Sequence, residues 1–382
     1  MNARFTLDGS DALEGHLAQT CQAVLGGVQA LIPSSSLDAL VLGGGYGRGQ
    51  GGVLRSATGD RPYNDLEFYV FTRGNVLLNE HRYRSPLQKL GDQLSPAAGL
   101  HVEFKIYSRD KLRTGAVSMF TYDLLSGHRL ILGNRDLLRG CEHHLRADQI
   151  PLHEATRLLF NRCSGLLLAK DLLRQQTLTA AQTDFVARNL AKAQLALGDA
   201  VLAVHGQYHW DCRERHARLK KLASAEILPW LPEVRQLHAT GVEFKLHPRV
   251  TSAAKPALQE QHCEVSKLAC QLWLWLESHR LKHPFATVRD YALSPLSKCP
   301  ESSRWRNALL NLRTFKLPAV FDGRIFSYPR ERLLNALSLL LWDNETLTEV
   351  ALRQYLQKNL QADSAAWPDL LRAYQTIWQN YG

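Results

Sequence analysis

The N-terminal part of the chain alternates between helical and strand-like hydrophobic patterns. Residues 11–31 place apolar side chains at the 3.6-residue spacing of a helix, and Pro33 with the serines at 34–36 interrupts that pattern. Residues 101–108, HVEFKIYS, alternate strictly between apolar and polar side chains, which is typical of a strand with two different faces. By the same reasoning the remaining strands are predicted at 37–42, 65–71 and 129–132, and further helices at 86–94 and 109–126.

The pattern changes near residue 151, after which amphipathic helices follow one another with almost no strand signal. These helices are predicted at 152–175, 180–206, 256–282, 303–313, 330–342 and 346–360. A chain of 382 residues is long enough for two or three domains. The sequence therefore predicts an α+β protein, with a small mixed-sheet domain at 1–150 followed by a larger all-α domain at 151–382.

A glycine-rich segment precedes the second predicted strand, and that strand carries two carboxylates. The segment reads LGGGYGRGQGG, and the strand reads YNDLEFYVF. Because side chains alternate along a strand, Asp65 and Glu67 are expected on one side, about 7 Å apart, with Leu66 and Phe68 directed into a core. Glycine-rich backbone binds phosphate, and neighbouring carboxylates bind Mg²⁺. Together the two features indicate an enzyme that handles a nucleoside triphosphate.

A third carboxylate, Glu103, lies on the polar side of the alternating strand at 101–108. If that strand pairs beside residues 65–71, the strand spacing of about 4.8 Å would let all three carboxylates converge. Two-metal transfer chemistry uses such a set of acids. Lys105, two residues further on the same side, either directs a phosphate or offsets the acidic charge.

These motifs resemble those of the DNA polymerase β-type nucleotidyltransferase superfamily, over roughly residues 37–133. Gly44 and Gly45 occupy its Gly-Gly/Ser position, and Arg48 with Gly49 matches the Arg-Gly of small bacterial members. The Asp65-Leu66-Glu67-Phe68 run matches its metal motif, and Glu103 matches its third acid. The chain departs from the pattern in having Gly45 where Ser is commoner, Glu67 where Asp is commoner, and a loop from Tyr46 to Asn64 of about twice the usual length.

The resemblance implies a Mg²⁺-dependent transfer of an NMP from an NTP, with ATP the expected nucleotide, to an acceptor hydroxyl, with release of pyrophosphate. Two Mg²⁺ ions would be held by Asp65, Glu67 and Glu103, with Glu103 also a candidate base. Gly44, Gly45, Arg48 and Gly49 would contact the phosphates. A helical domain like that of antibiotic nucleotidyltransferases would close one side of the cleft. Lys192, on one helix face with Asp199, is a candidate nucleotide contact from that domain.

Other interpretations stay open at this point. The transferase could act on RNA or on a protein side chain, or the chain could be a non-catalytic nucleotide-binding protein, such as an antitoxin-like regulator. The net charge of +10 and the pI near 9.3 favour anionic partners. No compact basic run with interleaved aromatic residues stands out, so a small-molecule acceptor is favoured over a nucleic acid.

The sequence gives no sign of membrane association or export. It contains no run of eighteen apolar residues and no apolar stretch near the N-terminus of the kind found in signal peptides. The seven cysteines are scattered and form no CxxC pair, as expected for reduced thiols. We therefore expect a cytoplasmic protein.

Overall fold

The structure is a computed structural model that describes residues 4–223, 228–316, 323–343, 345 and 348–382. It confirms the predicted fold class. An N-terminal α/β region with a four-stranded mixed sheet precedes a long all-helical region that begins near residue 150.

The strands of the α/β region are β1 (Leu37–Leu42), β2 (Val53–Ser56), β3 (Gly59–Pro62), β4 (Leu66–Thr72), β5 (Val102–Tyr107) and β6 (Arg129–Leu132). The four-stranded sheet has the order β5-β4-β1-β6, and a separate two-stranded hairpin is formed by β2 and β3. Strand β1 pairs antiparallel with β4 and with β6, whereas β4 and β5 are parallel.

Both faces of the central strands are buried, because helices of the α/β region cover each side. Phe68 and Val70 of β4 belong to one apolar cluster, together with residues of the first and third helices. Tyr69 and Phe71 point the other way, into a second cluster that includes Leu124. The helices of this region are α1 (Asp11–Leu31), α2 (Gly44–Gly47), α3 (Val76–Ala98), α4 (Arg109–Thr114) and α5 (Met119–Ser126).

From Leu152 onward the described elements are helices. Each lacks the combination of length and hydrophobicity that crossing a membrane requires. They are α6 (Leu152–Leu173), α7 (Ala180–Val204), α8 (Cys212–Lys221), α9 (Leu231–Leu246), α10 (Lys255–Leu281), α11 (Val288–Leu293), α12 (Arg304–Phe315), α13 (Arg330–Trp342), α14 (Val350–Leu360) and α15 (Trp367–Tyr381).

The chain divides into two compact units that do not follow a single cut in the sequence. The first unit is made of the described residues within Met1–Pro151, Val201–Ala225 and His238–Val250. The second comprises those within Leu152–Ala200, Glu226–Leu237 and Thr251–Gly382. Two segments of the helical region therefore belong to the same compact unit as the sheet.

Several elements are longer than the hydrophobic pattern predicts, or are not predicted by it. The helix expected at 86–94 extends from Val76 to Ala98, because the Asn75 side chain accepts hydrogen bonds from the backbone N–H groups of Leu77 and Leu78. Its first turn exposes those two leucines, so apolar periodicity gives no signal there. The sequence also did not predict the hairpin of β2 and β3 or the helices α8, α9, α11 and α15. The first residues of the helix predicted at 346–360 lie outside the described part of the chain.

The packing of β4 on β5 leads to a stability prediction. Phe68 is fully buried and stacks on Phe104 of β5, with ring centroids 5.7 Å apart. We expect Phe68→Ala to lower the free energy of unfolding by about 3–5 kcal/mol, because it removes apolar contacts and leaves a cavity. Leu77→Ala, at a leucine that is 70% exposed, is the matched control and should change it by less than about 0.5 kcal/mol. Equal losses in urea titrations would contradict this packing.

Candidate functional site

The predicted acids lie at one end of the sheet, where β4 and β5 run side by side. Asp65 immediately precedes β4 and is exposed, and Glu67 is the second residue of that strand. The parallel register pairs Glu67 directly with Glu103, so the predicted neighbourhood of the two strands is confirmed. The backbone N–H of Leu66 donates to the carbonyl oxygen of His101 at 2.9 Å, which fixes this register at the start of β4.

The Glu67 carboxylate is held by neighbours on its own strand and on the next one. The Tyr69 hydroxyl donates a hydrogen bond to its Oε2 at 2.7 Å. Burial and the nearby Glu67 charge both raise the pKa of Tyr69, so this hydroxyl stays protonated and remains a donor. The Lys105 ammonium lies 3.8 Å from Glu67 Oε2 and 3.3 Å from Glu103 Oε2. Of the two roles considered for Lys105, this position supports the offset of acidic charge.

The glycine-rich segment turns directly beside Glu67. The Gly43 N–H donates to the backbone oxygen of Glu67 at 2.9 Å, and the short helix α2 follows. Gly44 has a φ of 61°, and a Cβ there would lie 3.0 Å from Glu67 Oε1. A Cβ at Gly47 would lie 2.2 Å from the Leu42 oxygen. Glycine at these two positions therefore lets the backbone approach the carboxylate and the end of β1.

The long loop between the glycines and β4 is a hairpin anchored at its base. The Tyr46 hydroxyl donates to the Gly52 oxygen at 2.9 Å and accepts from the Tyr63 N–H at 2.8 Å. The Asn64 side chain accepts from the Gly52 N–H at 2.9 Å. Strands β2 and β3 extend beyond this base. The anchor returns the chain to Asp65 beside the glycine turn, so the extra length of the loop does not separate the two motifs.

Arg48 directs its side chain toward Asp123 on helix α5. Its Nη1 lies 3.2 Å from Asp123 Oδ2, and only about 10% of its side chain is exposed. The Tyr208 hydroxyl donates to the same oxygen at 3.3 Å. Arg48 is therefore an ordered part of the N-terminal unit and not a solvated loop residue.

The structure also places the remaining candidate residues. Gly45 lies within α2, and Gly49 follows it with a φ of 73°. Lys192 lies on α7, in the second compact unit, and is exposed, whereas Asp199 on the same helix is 5% exposed. Lys192 and Asp199 therefore differ in burial, although a spacing of seven residues, about two helical turns, was expected to place them on one helix face. A nucleotide contact by Lys192 stays a prediction.

The acids do not converge in this side-chain arrangement as the sequence led us to expect. Across the described residues, no three His, Cys, Asp or Glu side chains are grouped closely enough to hold a metal ion. Asp65 lies outside the strand, and the Lys105 ammonium contacts both glutamates. The donor chemistry nevertheless suits Mg²⁺, because Glu67 and Glu103 offer carboxylate oxygens from register-paired strands about 4.8 Å apart. In the structure the Lys105 ammonium lies beside both of these carboxylates.

Two side chains that shape this site, those of Tyr69 and Asp123, are not among the residues predicted from the sequence. Tyr69 reads as part of the apolar strand, and its hydroxyl contact with Glu67 becomes visible only when both side chains are placed. Asp123 lies in an amphipathic helical stretch and is 75 residues from Arg48. The alternation of β4 could have indicated Tyr69, since residues 65, 67 and 69 share one side of a strand. Nothing in the sequence indicates the pairing of Arg48 with Asp123.

The contact between Gly44 and Glu67 is testable through stability. We expect Gly44→Ala to destabilise the protein by roughly 1–2 kcal/mol for the left-handed backbone, and further because the methyl group meets the held carboxylate. Gly99→Ala is the matched control, since Gly99 has a φ of 71° and a Cβ there would meet no atom within 4 Å. Urea unfolding should show the larger loss for Gly44→Ala, and equal losses would contradict the close approach to Glu67.

Comparisons with known proteins find no match to this chain, either among protein-family models, among curated proteins or among solved structures.

Proposed function

We propose that this protein is a Mg²⁺-dependent nucleotidyltransferase that moves an NMP from an NTP, with ATP the expected nucleotide, to an acceptor hydroxyl. One observation carries the proposal. The parallel register of β4 and β5 places Glu67 beside Glu103, and the Gly44 backbone lies against the Glu67 carboxylate. A phosphate-binding turn and a pair of metal-binding acids would thus share one end of the sheet.

In this proposal the glycine turn holds the phosphates. The first N–H groups of a helix have no acceptor within the helix, and α2 begins at Gly44, so these groups are suited to phosphate oxygens. Gly44 and Gly45 supply this backbone, and Gly49 lets the chain turn back toward the hairpin base. The absence of side chains at 44 and 45 permits close approach of a bulky triphosphate.

In this proposal the three acids bind the metal ions, and one of them accepts the proton of the acceptor hydroxyl. Asp65, Glu67 and Glu103 would hold two Mg²⁺ ions, which supply charge neutralisation for phosphoryl transfer. The acceptor hydroxyl oxygen forms a bond to the α-phosphorus, and the bond from that phosphorus to the β-bridging oxygen breaks. Pyrophosphate leaves with the electron pair of that bond. Glu103 would accept the hydroxyl proton, and Tyr69 keeps the Glu67 carboxylate oriented by its hydrogen bond.

A small-molecule acceptor remains the preferred substrate class. The basic charge of the chain suits an anionic acceptor as well as the nucleotide. Transfer to RNA or to a protein side chain, and nucleotide binding without catalysis, are the alternatives. If the protein binds ATP but no class of acceptor supports turnover, the non-catalytic nucleotide-binding alternative would be favoured.

Neutralising the acids tests the proposal without knowledge of the acceptor. We expect wild-type protein to bind ATP more tightly with Mg²⁺ than with EDTA, and expect Asp65→Asn or Glu67→Gln to abolish that difference, because each removes a metal-binding charge. Calorimetric titration of ATP with and without Mg²⁺ measures this difference.

Asp110→Asn, at an exposed aspartate on α4, is the control and should behave like wild type. A Mg²⁺-dependent increase in ATP affinity that survives both Asp65→Asn and Glu67→Gln would refute the metal assignment.

The position of Lys105 leads to a second test. Because its ammonium contacts both glutamates, Lys105 competes with a divalent cation for the same oxygens. We expect Lys105→Met to tighten binding of Mn²⁺ without nucleotide by up to about fivefold, as expected for removal of a partly exposed charge. Electron paramagnetic resonance titration of free Mn²⁺ measures this directly. Lys111→Met, at a lysine 4.0 Å from Glu80, serves as the control. Weaker Mn²⁺ binding by Lys105→Met would mean that the lysine assists the metal.

A further inference from the structure

Strand β5 is the outermost strand on one side of the four-stranded sheet. The Leu66 N–H donates to the His101 oxygen, so alternate residues from His101 onward direct their backbone N–H and C=O groups toward β4. The residues between them direct these groups outward. Val102 shows this outward direction, because its N–H donates to the Ser95 hydroxyl of α3 at 3.0 Å.

The next outward backbone groups along β5 are those of Phe104 and Ile106. Among the described residues, none forms a hydrogen bond with the backbone of either residue on this side of the strand. A row of unpaired N–H and C=O groups at the edge of a sheet matches the hydrogen-bonding groups of a further strand. This part of β5 is therefore suited to pair with one.

Helix α3 and the outer side of β5 line a groove of about 470 Å³. At one end the helix touches the strand, since a Cβ at Gly91 would lie 2.3 Å from the Val102 oxygen. From there the groove continues beside the rest of β5 and reaches Lys111 of α4. Four polar residues of α3 line it at four-residue spacing, so they form one row. They are Glu80, Arg84, Gln88 and Asp92.

The two ends of the groove carry opposite charge. At the end near α4, Arg84 lies 3.6 Å and Lys111 lies 4.0 Å from Glu80, so two cations share one carboxylate. At the other end, no described lysine or arginine forms an ion pair with Asp92. With His101 uncharged, this end carries one net negative charge. A ligand with an acidic group at one end and a basic group at the other is complementary to the groove.

We propose that this groove binds an extended polypeptide segment of a partner protein, which adds a fifth strand to the sheet. The segment would exchange hydrogen bonds with the backbone of Phe104 and Ile106, and its charged ends would meet Arg84 and Asp92. Addition of an extended peptide to an exposed sheet edge is an established mode of recognition. Since β5 is roughly 20 Å long, a segment of about six residues matches it.

The position of α3 favours a partner segment over a second copy of this chain. The helix lies along the outer side of β5 and touches it at Val102, so two copies that paired through β5 would bring both α3 helices to the same edge. A single extended segment needs no such space. The inference goes beyond the proposed function, because the binding requires neither nucleotide nor metal.

The added strand would lie beside the candidate acids. Side chains directly opposite one another on paired strands share a face and lie about 4.5–5.5 Å apart. Every second side chain of the segment would therefore stand on the face that carries Glu103. Lys105, which also lines the groove, lies 3.3 Å from Glu103 and offsets its charge.

Fluorescence anisotropy with labelled peptides tests the proposal. The probes are two eight-residue peptides in which Val and Thr alternate between a terminal Glu and a terminal Lys, in the two possible orders. We expect the full chain to bind one of them in EDTA. N-methylation of the alternate amides that face β5 should weaken binding about tenfold or more, because it removes hydrogen bonds and keeps every side chain. N-methylation of the other alternate amides should leave the affinity nearly unchanged.

Replacement of the terminal Glu and Lys of the peptide by Gln should also weaken binding, as the opposite charges of the groove require. If neither peptide binds, or if both N-methylated forms bind as tightly as the parent peptide, the proposal is overturned.

Amide hydrogen exchange locates the bound peptide. The N–H groups of Phe104 and Ile106 should exchange more slowly when the peptide is present, because they gain acceptors. The N–H groups of Glu103 and Lys105 already face β4 and should change little. Peptide binding that leaves exchange at Phe104 and Ile106 unchanged would contradict strand addition.

A steric block provides the matched pair of variants. Gln88→Trp puts a large side chain into the groove and should weaken peptide binding at least about tenfold. Gln93→Trp, at an exposed position of α3 outside the groove lining, is the control and should bind like wild type. Both positions are exposed, so both variants should unfold at the wild-type urea concentration.

Equal peptide affinity in these two variants would place the peptide elsewhere. Sedimentation of the wild type covers the remaining occupant. A dimer that Gln88→Trp abolishes and Gln93→Trp retains would assign the groove to a second copy of the chain and overturn the proposal.

Discussion

The parallel pairing of β4 with β5 is the constraint on which the candidate site depends. It sets Glu67 opposite Glu103 and, through the same register, Phe68 opposite Phe104. Because successive side chains alternate, a shift of one residue would move Glu103 to the face that packs on α3 and would expose Val102. Burial of Leu66, Phe68 and Val102 in one core therefore specifies the position of the two acids. The apolar packing that stabilises the sheet also sets the positions of the two candidate metal-binding acids.

Charge balance governs the surroundings of these acids. Two carboxylates side by side repel one another, and the Lys105 ammonium relieves that repulsion in the structure. In the proposed function a divalent cation would take over this role from the Lys105 ammonium.

Much of the fold can be predicted from the chain because the local patterns are strong. Alternation in HVEFKIYS and the apolar residues at 37–42 predict strands that the structure contains, and periodicity predicts α1, α6, α7 and α10. Helix α8 is rich in charge, so apolar periodicity does not show it. The contribution of the described residues within 201–225 and 238–250 to the N-terminal unit depends on contacts between distant residues, such as the Cys212 N–H with Gln50 Oε1. Such contacts leave no local pattern, so the sequence does not indicate that these segments belong to the N-terminal unit.

A crystal structure with Mn²⁺ and a non-hydrolysable ATP analogue tests the central claim most directly, because the anomalous signal of manganese locates the ion independently of the protein coordinates. The account predicts a manganese peak between the carboxylates of Glu67 and Glu103, with Asp65 turned toward it, the Lys105 ammonium displaced and the triphosphate against Gly44. A nucleotide bound elsewhere, or Lys105 still in contact with both glutamates and manganese absent from them, would contradict it.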